Sequence, residues 1–306
     1  MISLISPSEV KFPTSIAIGS FDGLHQGHRR LIECVVKDSK YTPTIASFWP
    51  HPREVLFGET RLRLDLPQEK LPLLEKLGIE QLVLIPFDKK LSRLSADEFL
   101  KNVLLDQLQT KSISVGENFR FGYQRKGDIN TISNFLRDTN ISLNIIKILE
   151  DNCGRISSSR VRDLLLNYDF YNAEKLLQRP YTFSGLVVKG KGLGRELGFP
   201  TANLEIDGRK FLPGEGVYAA WTSIHKSDHK FPSVMNLGPQ PTIDPLSPSS
   251  VEVHLIDKQI NLYELELTIQ PIKKIRSQLK FVDLKELSNQ IYQDKLTAKE
   301  ILKNIE

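Results

Sequence analysis

His25 and His28 stand three residues apart in the decamer GSFDGLHQGH, residues 19–28, directly after the apolar run Ile16-Ala17-Ile18. At a strand-to-helix turn this spacing projects both imidazoles to one side, near the positive end of the helix dipole. Gly19 and Gly23 permit a tight turn and close backbone approach, and Asp22 or a neighbour can cap the helix. Leu24, Leu31, Ile32, Val35 and Val36 fall on one helical face. An anion is what such a place binds. A metal site would want a third ligand, and the H-E-x-x-H spacing of zinc proteases is absent.

Three further segments offer groups of the same kind. Ile156-Ser157-Ser158-Ser159-Arg160-Val161-Arg162 starts a helical pattern with hydroxyls, free backbone amides and two cations, all of which a phosphate can use. Taken alone, that serine run is also plain N-capping. Val115 to Gly122 (VGENFRFG) puts two aromatic rings in a glycine-bounded loop, where they serve as core plugs or as ligand contacts. In the second half, Gly190, Gly192 and Gly194 precede Leu197-Gly198-Phe199-Pro200-Thr201-Ala202-Asn203. This glycine strip is neither a Walker A loop nor a dinucleotide fingerprint. In VEVHL, Glu252 and His254 share one face of an alternating strand.

The elements that must position these groups divide the chain in two. Its 306 residues suit two domains, and 40% hydrophobic with 25% charged residues is ordinary globular composition. No apolar run reaches the length of a membrane span, and the amino terminus lacks the basic start and apolar stretch of a signal peptide. Two isolated cysteines, Cys34 and Cys153, make neither a disulfide framework nor a zinc knuckle, so a cytoplasmic setting without membrane attachment is expected. The net charge of +4 comes from well-mixed charges and does not argue for nucleic acid.

Apolar runs at 16–18, 44–48, 82–86, 112–116 and 143–149 alternate with helical periodicities, which predicts an α/β doubly wound parallel sheet over residues 1–180. Its ligands belong beyond the carboxyl ends of the strands, where the histidine turn, SFWPHP and VGENFRFG all fall. From residue 181 to 306, short alternating strands (FSGLVV, GVYAAWTSI, VEVHLID, LYELELTIQPI) predict a small antiparallel β-barrel. Two closing helices are expected at 283–293 and 297–305.

The decamer resembles the (H/T)xGH element of the nucleotidyltransferases, in the FDGLHxGH form of bacterial FAD synthetases, with Ser20 where asparagine is usual. The serine run is similar to their ISSTxxR element, with Ser159 for threonine, and VGENFRFG to their VGxNFxFG loop. GRELGFPTAN closely resembles the riboflavin kinase motif, and residues 236–242 fit that family's NxGxxPT turn. IRSQLKF resembles its LRxExKF element, with Gln278 replacing glutamate; Trp49 stands where the synthetases commonly have glutamate. In order and over nearly the whole chain, the resemblance is to the bifunctional prokaryotic riboflavin kinase/FAD synthetases.

That resemblance implies ATP-dependent phosphorylation of riboflavin to FMN, then adenylylation of FMN to FAD with pyrophosphate leaving. It gives His28 and His25 the transition-state contacts, and places Gly19, Phe21, Asp22, Gly23, Ser158, Ser159 and Arg162 around the nucleotide phosphates. Asn118 and Phe121 become flavin contacts, as does Arg276 in the kinase half. There Gly190, Gly192 and Gly194 cover ATP, Thr201 and Asn203 are hard ligands for Mg2+, and Glu252 is the general base. A nucleotidyltransferase for another phosphorylated substrate would leave residues 190–203 unexplained. A flavin-binding regulator without catalysis is opposed by the retention of His25, His28, Thr201, Asn203 and Glu252.

Overall fold

In a computed structural model, residues 2–11, 13–37, 40–60, 62–190, 193–224, 227, 229–238 and 251–304 are described. Gly192 and residues 239–242 of the NxGxxPT turn lie outside them. By its packing the chain forms two units, residues 1–59 with 65–160, and residues 60–64 with 161–306.

The apolar runs of the first unit become strands, and the inner ones are buried on both faces while the edge strands are partly exposed. They are β1 (Ser3–Ile5), β2 (Thr14–Ile18), β3 (Thr42–Trp49), β4 (Gln81–Pro86), β5 (Thr110–Gly116) and β6 (Ser142–Ile146). All pairs are parallel, in the order β1-β4-β3-β2-β5-β6. The order reverses between β2 and β5, which makes the carboxyl ends of these two strands the crevice of a doubly wound sheet. β1 was not legible in the sequence, since three residues beside an amino terminus carry too little pattern.

Helices α1 (Gln26–Lys37), α2 (Pro52–Phe57), α3 (Pro67–Lys76), α4 (Ala96–Glu98), which continues as a wider π-type helix Phe99–Gln107, and α5 (Ile129–Leu136) belong to this unit. A capping box opens α4: Ser95 Oγ accepts from the Glu98 amide at 3.2 Å and Glu98 Oε2 from the Ser95 amide at 2.8 Å. α1 buries Leu31, Ile32 and Val35 against Ala17, Ile45 and Leu82. A two-strand hairpin, β7 (Glu150–Asp151) and β8 (Gly154–Arg155), leads into α6 (Ser158–Leu166), within which the unit boundary falls. α7 (Phe170–Leu177) follows in the second unit.

The second unit is a closed antiparallel barrel. Its strands are β9 (Phe183–Val188), β10 (Ala202–Glu205), β11 (Gly216–Ile224), β12 (Lys230–Leu237), β13 (Val251–Leu255) and β14 (Glu266–Arg276), in the order β10-β13-β12-β11-β14-β9. Closure leaves no unpaired edge. The short α8 (Leu193–Glu196) lies between β9 and β10.

The two expected closing helices are one, α9 (Leu284–Lys303). No glycine or proline interrupts residues 284–303. Asp294, Ala298 and Leu302 fall four apart on its buried face, so packing against Val217, Ala219 and Val234 carries the helix through the break expected between residues 293 and 297.

Candidate active sites

In the first unit the site begins where β2 ends. The Gly19 amide donates to Ala46 O at 3.1 Å, and the next carbonyl, Ser20 O, accepts from Ser47 Oγ at 3.1 Å and from Lys70 Nζ at 3.2 Å. Phe21 and Leu24 then take left-handed backbone angles (φ 44° and 45°), as does Gly23 at 85°. For the two larger residues this is strained, and it persists because both side chains are fully buried in the core beneath α1. The turn delivers His25 O as acceptor for the His28 amide at 2.8 Å and the Arg29 amide at 3.1 Å, which starts α1.

The histidine rings stack with centroids 3.8 Å apart and planes at 22°, and the Phe21 ring lies 5.1 Å from that of His28. Gly27 makes room for this: a Cβ there would stand 3.2 Å from His25 Cε1. Burial, reinforced by the Arg155 charge, lowers His25 to about 4. Burial and then the charges of His25 and Lys70 hold His28 well below the usual histidine value. Both imidazoles are neutral at pH 7. Nδ1 of each is buried and has no hydrogen-bond partner among the described residues.

The serine run meets this turn. Ser158 Oγ donates to Asp22 O at 2.8 Å, while Ser157 Oγ accepts from the Arg160 amide at 3.3 Å. Ser159 is exposed. Arg160 forms a bidentate pair with Asp151 (2.7 and 2.9 Å), and Arg162 Nε donates to Leu62 O at 2.8 Å within the second unit. Asn118, with its amide oriented to satisfy both groups, accepts from Arg155 at 2.6 and 3.0 Å. Phe121 lies in the core, stacked on Phe119 at 5.4 Å; Phe119 is the more exposed ring of the pair.

Gly27, Lys70 and Arg155 are neighbours of the histidines that sequence reasoning did not single out. Arg155 directly precedes the ISSS run, a signal that was available. Lys70 looks like any charge on an amphipathic helix, and only the fold shows it buried.

In the second unit the pairing register builds the site. Asn203 of β10 and Asn236 of β12 lie directly opposite Glu252 of β13, one on each side. Directly opposite residues project to the same face, so an amide flanks the carboxylate on either hand. Gly190 and Gly194 are spacers for this group: a Cβ at Gly190 would be driven into the Asn203 amide, and one at Gly194 would stand 2.5 Å from Phe199 O and 3.2 Å from Thr201 Oγ1. His254 Nδ1 pairs with Pro200 O at 2.9 Å, and its ring meets Phe199 edge-on at 5.7 Å, which steadies the turn before Thr201.

Gly190, Thr201 and Asn203 open on a cavity of about 1050 Å³ that also takes in Lys189, Lys258 and Asn261. Gln278 Nε2 donates to Asn236 Oδ1 at 2.7 Å and to Leu237 O at 3.0 Å. Arg276 is held by the buried Asp294 of α9 through contacts of 2.7, 2.9 and 3.1 Å, so its charge is compensated before any ligand arrives. Thr201 and Asn203, which both line this cavity, carry hard oxygen donors of the kind magnesium takes together with phosphate oxygens. Among the described residues there is no cluster of three His, Cys, Asp or Glu side chains able to hold a metal by itself.

Comparison with known proteins follows the same division. The FAD synthetase family model matches residues 8–160 and the riboflavin kinase model residues 177–302. The chain is 34% identical over 290 residues to the bifunctional riboflavin kinase/FMN adenylyltransferase of Escherichia coli (strain K12), covering 93% of this chain and 91% of the relative. It is 35% identical over 295 residues to the protein of the same description from Haemophilus influenzae, with 93% of each chain covered. A crystal structure described as a macrolide-efflux protein from Streptococcus pneumoniae superposes with a TM-score of 0.82 at 26% identity, over 97% of this chain and 98% of that one. Among the described residues no helix is long and apolar enough to cross a membrane. With both family models matched in order and curated relatives aligned over nine-tenths of their length, the chain belongs to the bifunctional riboflavin kinase/FMN adenylyltransferase family.

Proposed function

We propose that the chain makes FAD from riboflavin by two ATP-dependent transfers at separate sites, phosphorylating riboflavin on the barrel and adenylylating FMN on the parallel sheet. The observation that carries this reading is the presence of two phosphate-suited constellations, the stacked His25 and His28 and the Thr201, Asn203 and Glu252 group, on different folds.

On the barrel, Glu252 receives the proton of the riboflavin 5′-hydroxyl as its oxygen attacks the γ-phosphorus of ATP, and ADP leaves. Thr201 and Asn203 would hold Mg2+, which when bound neutralises charge on the phosphates. Gly190 and Gly194, with Gly192 between them, let the backbone approach the nucleotide, and Arg276 serves the flavin phosphate. On the sheet, an FMN phosphate oxygen attacks the α-phosphorus of a second ATP and pyrophosphate departs. No protein nucleophile is needed. His28 and His25 are the phosphate contacts in this reading, with the turn Gly19, Phe21, Asp22 and Gly23 and the hydroxyls of Ser158 and Ser159 beside them, and the resemblance adds Arg162 to the phosphate-binding set. Asn118 serves the flavin side in this reading, and Phe121, buried in the core, serves it by backing the more exposed ring of Phe119.

The division of labour is set at residues 1–180 and 181–306. Free Cys34 and exposed free Cys153 suit a reducing, cytoplasmic setting. Incubating the purified chain with riboflavin, ATP and Mg2+ and resolving the flavins by chromatography should yield FMN first and then FAD. A folded chain that forms neither flavin, or that adenylylates another phosphorylated compound in preference to FMN, overturns the reading. Because α6 and α7 pack with the barrel unit, carboxyl-terminal fragments starting at 161 and at 181 test the division; FMN formation by neither folded fragment refutes it.

A further inference from the structure

Lys70 of α3 is 3% exposed although it carries a full charge. A lysine is almost never buried this far without a partner for its ammonium group. One partner is the carbonyl of Ser20, 3.2 Å from Nζ. The same carbonyl accepts the Ser47 hydroxyl at 3.1 Å, so the last peptide before the histidine turn is held from β3 and from α3 at once. The next residue is Phe21, in its left-handed conformation, with its ring 5.1 Å from the ring of His28. A shift of Ser20 would pass through Phe21 to His28.

We propose that Lys70 is a positioning residue of the adenylyl-transfer site, holding the Ser20 carbonyl and thereby the turn that carries Phe21 and the histidines, and presenting a fixed positive charge to His28. The proposal rests on the reading of His28 as the phosphate contact. It adds a group that touches neither reacting phosphate nor flavin in its stated role, and that acts through the turn and through the field at the ring. Lys70 disfavours protonation of His28, as does His25 at acid pH where that ring is itself protonated. His25 in turn faces Arg155. Asp22 and Asp65, both buried in the same region, are retained in every variant below.

The test uses the full chain with Lys70→Met, Lys70→Gln and Lys70→Arg, and with His28→Ala as reference. FAD formation from FMN and ATP, FMN formation from riboflavin and ATP, and the NMR titration of the His28 ring are measured on each preparation. Lys70→Met should lower kcat for FAD formation about 10²-fold, the effect of misplacing a site by roughly 1 Å, with KM for ATP changed far less and FMN formation intact. The His28 ring should titrate at higher pH than in the parent, because a neighbouring cation is gone. Lys70→Arg, which keeps the charge, should restore most of the rate and the parental titration.

If Lys70→Met does not fold, Lys70→Gln separates the two effects: it keeps a donor for Ser20 and should lose less of the FAD-forming rate, whereas the lost charge should still raise the His28 titration, and an unmoved titration in it overturns the electrostatic part of the role. A rate within threefold of the parent together with an unmoved His28 titration, in a background where His28→Ala does abolish FAD formation, overturns the role of Lys70. Retained FAD formation in folded His28→Ala overturns the site reading itself, and with it the proposal.

Discussion

The Ser158 hydroxyl donates a 2.8 Å hydrogen bond to the Asp22 carbonyl, joining the start of α6 to the histidine turn across 136 residues of sequence. Through it, two phosphate-suited segments become one site in the first unit. A side chain that spans two loops in this way fixes the distance between the groups they carry, which is what a positional mechanism needs.

Removing that hydroxyl should therefore loosen the site without dismantling it. Ser158→Ala leaves the Asp22 carbonyl without this donor, a loss of about 1 kcal/mol by the usual worth of such a bond. FAD formation from supplied FMN should fall roughly 5- to 10-fold, and FMN formation from riboflavin should stay at the parental rate. Parallel assays of the two half-reactions check this; an equal loss in both would mean that the bond supports overall stability instead.

The depressed histidines set a pH dependence of stability. His25, at about 4 in the fold against 6.5 as its ordinary value, binds fewer protons folded than unfolded between those limits. Stability is then greatest above 6.5 and falls as the pH drops from 6.5 toward 4, with His28 acting in the same direction. The loss attributable to His25 is of order 3 kcal/mol. Denaturant unfolding followed at about pH 7.5, 6, 5 and 4 should show this decline. His25→Asn should flatten the curve; an unchanged slope in the variant assigns the acid sensitivity to other groups.

At Gly190 the test is steric. A methyl group there would be driven into the Asn203 amide. Overpacking of this kind costs about 1–3 kcal/mol, relieved here by turning Asn203 away from Glu252. Gly190→Ala should lower kinase turnover at least about tenfold while FAD synthesis from FMN continues. A normal kinase rate with a well-folded barrel would show that Asn203 is free to move without consequence.

The chain shows why some of this was legible beforehand. The strands of the parallel sheet announce themselves as unbroken apolar runs such as Ile16-Ala17-Ile18, because they are buried on both faces. β10 and β12 do not: the first is four residues directly after the Pro200 turn, and the second contains Pro232, a residue that argues against a strand unless neighbouring pairs carry it. The two histidines could be paired from their spacing alone. That Lys70 bears on them could not, since this depends on the meeting of segments distant in sequence. The helix break expected near residue 296 failed for a related reason: burial of Ala298 and Leu302 against the barrel outweighs a local capping pattern.

The assignment of Glu252 rests on register. It lies between Asn203 and Asn236 on three adjacent strands, and Asn236 is itself fixed by Gln278 through a 2.7 Å bond to its amide oxygen. With that oxygen engaged, the Asn236 amide nitrogen remains to support a neighbouring carboxylate, and Asn203 meets it from the other side. A carboxylate flanked in this way is held in one orientation, which is what a general base needs toward an incoming hydroxyl. Glu252→Gln keeps the size and the hydrogen bonding and removes the base. General-base catalysis contributes about 10²–10⁴-fold, so kinase turnover should fall by that order, with the KM for Mg-ATP little changed and FAD synthesis from supplied FMN intact. Both half-reactions are measured on one folded preparation. A near-normal kinase rate would reduce Glu252 to a strand residue between two asparagines, whereas a matching loss of FAD synthesis would trace the effect to a general disturbance of the chain.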